Sequence, residues 1–245
     1  MAALWPASFR PTLWPTLFTV PALVLLVGLG VWQLERLAWK TDLIATVDSR
    51  IHSAPVPLPA GDTIDPAAWQ WRHVVVSGHF LHDKEMHLLA YTERGNLGYH
   101  LIVPLARDGG GYVLVDRGWV PAADKSPQSR PESQPAGEVT VEGVVRTGWR
   151  QGWFVPDNKP AENLWFFADV AGFARQAGVA VPRILVEAGP APNPGGLPIG
   201  GQTVIDIPND HLQYALTWFS FAVALAVIYV LYHRKLALDA GRKPK

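Results

Sequence analysis

The chain has 245 residues, 49% of them hydrophobic, with 21 basic and 21 acidic side chains and no cysteine. Balanced charge without like-charge runs offers no field for nucleic acid, and the lack of cysteine excludes disulfides, thiolate metal sites and thiol nucleophiles. The length leaves room for one compact soluble domain beside any membrane segments.

After a tail, 1–15, the first feature is the apolar stretch Thr16–Leu34, which contains Pro21, Gly28 and Gly30. It is long enough to cross a bilayer, where such residues are tolerated. The competing reading is a signal peptide. A weakly basic tail, a long apolar run and no small-residue cleavage site near Gln33-Leu34-Glu35-Arg36 favour an uncleaved anchor. Residues 35–71 read as a stalk helix and linker, because Leu34, Leu37, Thr41, Ile44 and Ile51 keep a helical period up to the proline-rich Ala54–Pro59.

From Arg72 the period becomes two: Val74/Val76/Phe80, Met86/Leu88/Ala90, Leu101/Val103/Leu105, Tyr112/Leu114/Asp116, Val139/Val141/Val145 and Ile184/Val186/Ala188. These predict a mainly antiparallel sheet or open barrel over 72–211, with turns at Arg94-Gly95-Asn96 and Asp108–Gly111 and one short helix over Asp169–Gly178. Two loops rich in Pro, Pro121–Gly137 and Ala188–Gly201, are expected to be exposed and mobile. The second apolar stretch, Leu212–Tyr232, carries no formal charge and would rise about 30 Å as a helix, the thickness of the hydrocarbon layer. A tail, 233–245, follows. The predicted fold is therefore membrane α+β: two transmembrane helices flanking one mainly antiparallel β extracytoplasmic domain with a short helix.

Orientation follows from Lys and Arg near the spans. Arg234, Lys235, Arg242, Lys243 and Lys245 follow the second span, whereas 191–211 holds none. This predicts cytoplasmic termini and an external central domain. No Arg- and Ser-rich transit segment is visible, which favours a bacterial inner (plasma) membrane and a periplasmic domain over a mitochondrion.

His211 is the first candidate for chemistry, since an imidazole where a span enters the membrane is functional or paired. It could ligate iron through one ring nitrogen while the other is held by a neighbour, or it could be a solvated helix-end residue. Tyr214, Ala215, Trp218 and Ala222 continue its face and could flank a porphyrin, although an interfacial aromatic belt explains the aromatics as well. On the first span Trp32, Arg36, Trp39 and Lys40 fall along one side, as aromatic surface with cations for propionates or as snorkelling residues. Strand alternation puts Arg117 and Trp119 on one face, a stacked pair presented to a partner or an internal clamp. A copper site from His79, His82 and His87 is disfavoured by strand parity. No hydrolase, zincin or phosphate-loop motif is present, so nothing points to an enzyme.

The segments Gly30-x-Trp32-Gln33-Leu34-x-Arg36 with Trp39-Lys40, Gly98-Tyr99-His100, Leu114–Pro121 and Asn209-x-His211-Leu212-Gln213-Tyr214-Ala215-x-Thr217-Trp218 occur in an order that resembles the surfeit locus protein 1 family. Asp116 stands where many members have Asn. The resemblance implies an assembly factor for haem-copper terminal oxidases of the respiratory chain, not an enzyme. It implies haem a as transient cargo, His211 as the haem-interacting residue, and oxidase subunit I, a haem a synthase and the lipid bilayer as partners. A scaffold that stabilises an oxidase subunit without touching haem is the alternative, and a haem-dependent redox enzyme would need more membrane histidines.

Overall fold

A computed structural model describes residue 9 and residues 11–61, 64–92, 95–148, 151–205 and 207–241. Arg94 of the first predicted turn, Arg10, most of the N-terminal tail, and the tail cations Arg242, Lys243 and Lys245 lie outside the described residues. The chain forms two compact units, one holding the helix Leu13–Ile51 as far as Thr46 together with the helix His211–Gly241, the other spanning Val47–Ile205.

In the first unit, α1 (Leu13–Ile51) runs unbroken through Pro21, and α4 covers His211–Gly241. Both are long and apolar enough to cross a membrane. Each covers a narrow stripe at steps of three and four residues: Thr19, Leu23, Leu26, Gly30, Gln33 and Leu37 on α1, and His211, Ala215, Trp218, Ala222, Leu225, Tyr229 and His233 on α4. That spacing is the seam of two helices packed side by side. The helices approach closely at Gly30, where a Cβ would sit 2.5 Å from the Phe219 ring, so glycine alone leaves that ring in place.

The second unit is built on seven strands: β1 (Val56–Pro57), β2 (His73–Phe80), β3 (Met86–Tyr91), β4 (Leu97–Arg107), β5 (Tyr112–Pro121), β6 (Val139–Arg146) and β7 (Leu185–Ala188). Their order is β1-β2-β6-β7-β5-β4-β3, and an added β2–β4 pairing closes five of them into a small barrel. Closure, rather than an open sheet, removes the edges of β2 and β4. Most neighbours are antiparallel as the alternation predicts, but β7 runs parallel to β5 and β1 parallel to β2. Val74, Val76, Leu105, Val113, Val115, Val145 and Val186 fill the barrel. The alternate residues Ile102, Leu114 and Leu185 face outward beneath Trp165, Phe173 and the short helix α3 (Val170–Ala177). β5 is thus buried on both faces, with Val113, Leu114 and Val115 all fully covered. A single turn of helix, α2 (Pro66–Trp69), precedes β2.

The two proline-rich loops are mostly exposed or half-buried, as expected, but each is tied to the domain at particular points. Arg130, 5% exposed, reaches from the first to Glu85 and to Ser133 Oγ at 3.1 Å. In the second, Ile199 exchanges backbone hydrogen bonds with Trp119 at 2.8 and 2.9 Å. Composition reports turn chemistry but says nothing of a buried arginine that needs its partners.

Candidate functional site

The helix pair holds most of the predicted residues. His211 opens α4, and Asn209 just before it donates through Nδ2 to Thr41 Oγ1 of α1 at 3.4 Å. His211 Nδ1 lies 2.7 Å from Gln33 Oε1. The carbonyl oxygen can only accept, so Nδ1 donates in this hydrogen bond and Nε2 is the nitrogen left for another partner. Among the described residues Nε2 has no hydrogen-bond partner. Gln33 is 8% exposed in an apolar stripe, where an amide requires a partner; that partner is the imidazole.

Beside the seam on α1, Trp32 is 54% exposed and Arg36 stacks on Trp39 with its Cζ 3.9 Å from the ring centroid. Neither Arg36 nor Lys40 has a carboxylate partner among the described residues, which leaves two cations free for an anionic ligand. On α4, Ala215 is buried in the seam while Tyr214 is 56% exposed and Trp218 is half-buried against Phe221. Of the predicted residues, then, the structure joins His211 to α1 through Gln33 and joins Arg36 to Trp39. Among the described residues, no hydrogen bond, ion pair or ring contact links Tyr214 or Trp218 to Trp32, Arg36, Trp39 or Lys40.

Gln33 enters the sequence reading only as part of a motif, yet a lone amide between Gly30 and Leu37 in an apolar span is itself a signal that something across the seam pairs with it. A second residue outside that reading is His233, fully buried one position beyond the predicted span. Its Nε2 accepts from the Thr12 backbone N–H at 3.1 Å and its Nδ1 faces the Tyr229 carbonyl at 2.9 Å.

Arg117 and Trp119 do not form the expected stacked pair. Register runs His100 to Trp119 but Ile102 to Asp116, so Arg117 and Gly118 together oppose one residue of β4. Gly118, at φ 116°, makes this bulge and shifts the alternation. Arg117 stays on the barrel side, 2% exposed over Phe80, while Trp119, 9% exposed, turns to the face of His100. The two side chains therefore do not form a joint exposed face.

The domain histidines are occupied singly. His87 Nε2 meets Glu85 at 2.9 Å, His82 Nε2 meets the Pro135 carbonyl at 3.0 Å, and His100 Nδ1 meets Asp116 at 2.7 Å. No group of three metal-ligating side chains occurs among the described residues. Burial alone would lower the pKa of His100, but the Asp116 carboxylate outweighs it and holds it above 6.5. Burial pushes neighbouring Glu187 above its usual carboxylate value, although Arg146 at 3.1 Å pulls the other way.

The sequence pattern of the SURF1 family matches residues 20–223, from within the first apolar helix into the second. Surfeit locus protein 1 of Mus musculus is 37% identical over 217 residues, 82% of this chain and 70% of that protein. Surfeit locus protein 1 of Homo sapiens is 37% identical over 218 residues, 82% and 72% of the two chains. A SURF1-like protein of Monosiga brevicollis is 37% identical over 230 residues, 89% and 87%. With the match spanning both helices and the domain between them, the chain belongs to the SURF1 family.

Proposed function

We propose that this chain is an assembly factor for a haem-copper terminal oxidase, holding haem a at the His211 end of its helix pair and passing it to oxidase subunit I. The observation that carries the reading is the His211–Gln33 hydrogen bond. A ligating imidazole is characteristically held by its second nitrogen, which fixes the ring and raises its basicity. Here Gln33 does this before any ligand arrives and leaves Nε2 as a donor for iron. The donor set fits the group: one imidazole, indole surface at Trp32 and Trp39 with Tyr214 and Trp218 on α4, and the cations Arg36 and Lys40 for propionates. Bound haem a would be cargo rather than a reagent, and the act is binding and hand-over without a covalent step. A single protein ligand suits release, since a second strong axial donor would slow transfer.

The same reading places the helices in a bacterial inner membrane with the domain periplasmic and the termini cytoplasmic, supported by the Lys and Arg asymmetry about the second span. A haem a synthase is the natural source of the cargo. The test is co-production of the chain with haem a synthesis enzymes, followed by purification and an optical spectrum. Retained haem a at near-equal stoichiometry is expected. A haem-free protein that still captures subunit I would establish the scaffold reading instead.

A further inference from the structure

Charges do not balance where Arg117 and Arg130 lie near Glu85. Arg117 is almost fully buried, yet among the described residues its one side-chain hydrogen bond runs from Nη2 to Asn193 Oδ1 at 3.0 Å, and its Nη1 is buried with no partner among them. The carboxylate nearby, Glu85, is already taken: its Oε1 accepts from His87 Nε2 and from Arg130. Burial, with Arg117 adding to it, holds His82 below its usual pKa, and an imidazole supplies no negative charge to offset the guanidinium groups. Two guanidinium groups therefore share one carboxylate. An isolated buried charge is costly, and burial accordingly draws Arg117 down to about 10.

Arg117 also lines a cavity of about 270 Å³ whose other walls include Phe80, Val139, Val141, Ala188, Asn193 and Pro194. Glu142 reaches its rim but is engaged by His73 at 3.1 Å. We propose that this cavity binds a carboxylate carried on a short apolar body, with Arg117 supplying the charge that recognises it. A guanidinium with an unpaired Nη1 matches a carboxylate in both charge and shape. The Val, Ala and Pro walls suit an apolar chain, and the volume lies just under the roughly 300–1,000 Å³ of sites for drug-sized ligands, so the body is short. This proposal is independent of haem and of His211.

The test uses the full chain in nanodiscs and saturation-transfer NMR with 3-methylbutanoate, with 3-methylbutan-1-ol as the uncharged control. Saturable binding of the acid and none of the alcohol is expected. Arg117→Met should weaken the acid at least tenfold. Val139→Trp, which enlarges a side chain lining the cavity and leaves the arginine in place, should abolish binding and decides the matter if the first variant fails to fold. A second arm compares a peptide ending in valine as free acid with its C-terminal amide. Binding of the free-acid peptide but not of 3-methylbutanoate would identify a chain terminus as the source of the carboxylate, and binding of 3-methylbutanoate alone a small metabolite. Equal uptake of acid and alcohol, no saturable binding in either arm, or wild-type binding by Val139→Trp would overturn the proposal. His211→Ala should bind the acid as wild type does, which separates this site from the helix pair.

Discussion

The two ends of the helix pair each place a histidine in the seam, and they treat it oppositely. At the Thr12 end, His233 is fully buried and both ring nitrogens are used, Nε2 by the Thr12 backbone and Nδ1 by the Tyr229 carbonyl; Phe9, Tyr229 and Tyr232 surround the ring. At the other end His211 is half-buried and only Nδ1 is used, by Gln33. In both rings Nδ1 faces an oxygen that can only accept, so the distinction lies in what stands before Nε2. Residue type and position at a span end do not tell a structural histidine from an available one. The partner of the second nitrogen does.

The comparison can be broken most severely by separating the helices. Gly30→Leu drives a side chain into the Phe219 ring, where even a Cβ comes to 2.5 Å. It should cost both the helix pair and all haem retention, seen as accelerated proteolysis together with loss of visible absorbance. Removing only the orienting group is gentler. Gln33→Ala should weaken haem retention by roughly 10- to 100-fold, the usual cost of losing the partner of a ligating histidine. Gln33→Glu restores an acceptor and should recover most of it, an outcome that a purely packing role for Gln33 would not give. Arg36→Ala should cost only about two- to fivefold, the worth of an exposed ion pair, since Lys40 and water remain.

The smallest effect concerns the domain. His100 is held above 6.5 by Asp116, so its stabilisation is complete below 6.5 and is lost as pH rises through the raised value. Glu187, also raised, adds a cost in the same direction as it ionises above 4.5. The thermal midpoint should fall as pH rises past these values, and His100→Gln should flatten that fall. An unchanged pH profile in the variant would remove His100 from the account.

Much of this is legible in the residues. Apolar length announces both long helices, and alternation locates six of the seven strands because buried faces demand it. Barrel closure is hidden, since a β2–β4 pairing leaves no mark on either strand beyond its own alternation. The bulge at Arg117 is hidden for a related reason: period-two reasoning assumes an unbroken pleat, and one extra residue at Gly118 turns Trp119 to the opposite face. In the site, His211 is visible by position. His233 is not, because the uncharged apolar run ends at Tyr232 whereas α4 continues to Gly241. Gln33 is visible as a letter but not as a role, which only the partner helix can reveal.

The most direct test sets the two histidines side by side. Wild type, His211→Ala and His233→Ala are each co-produced with haem a synthesis enzymes, purified, and measured for haem absorbance per chain. Haem lost in His211→Ala, with membrane insertion intact, and kept within about twofold in His233→Ala, where no iron ligand is removed, is the predicted result. Normal absorbance in His211→Ala, or equal loss in both variants, would contradict the account and return His211 to a helix-end residue.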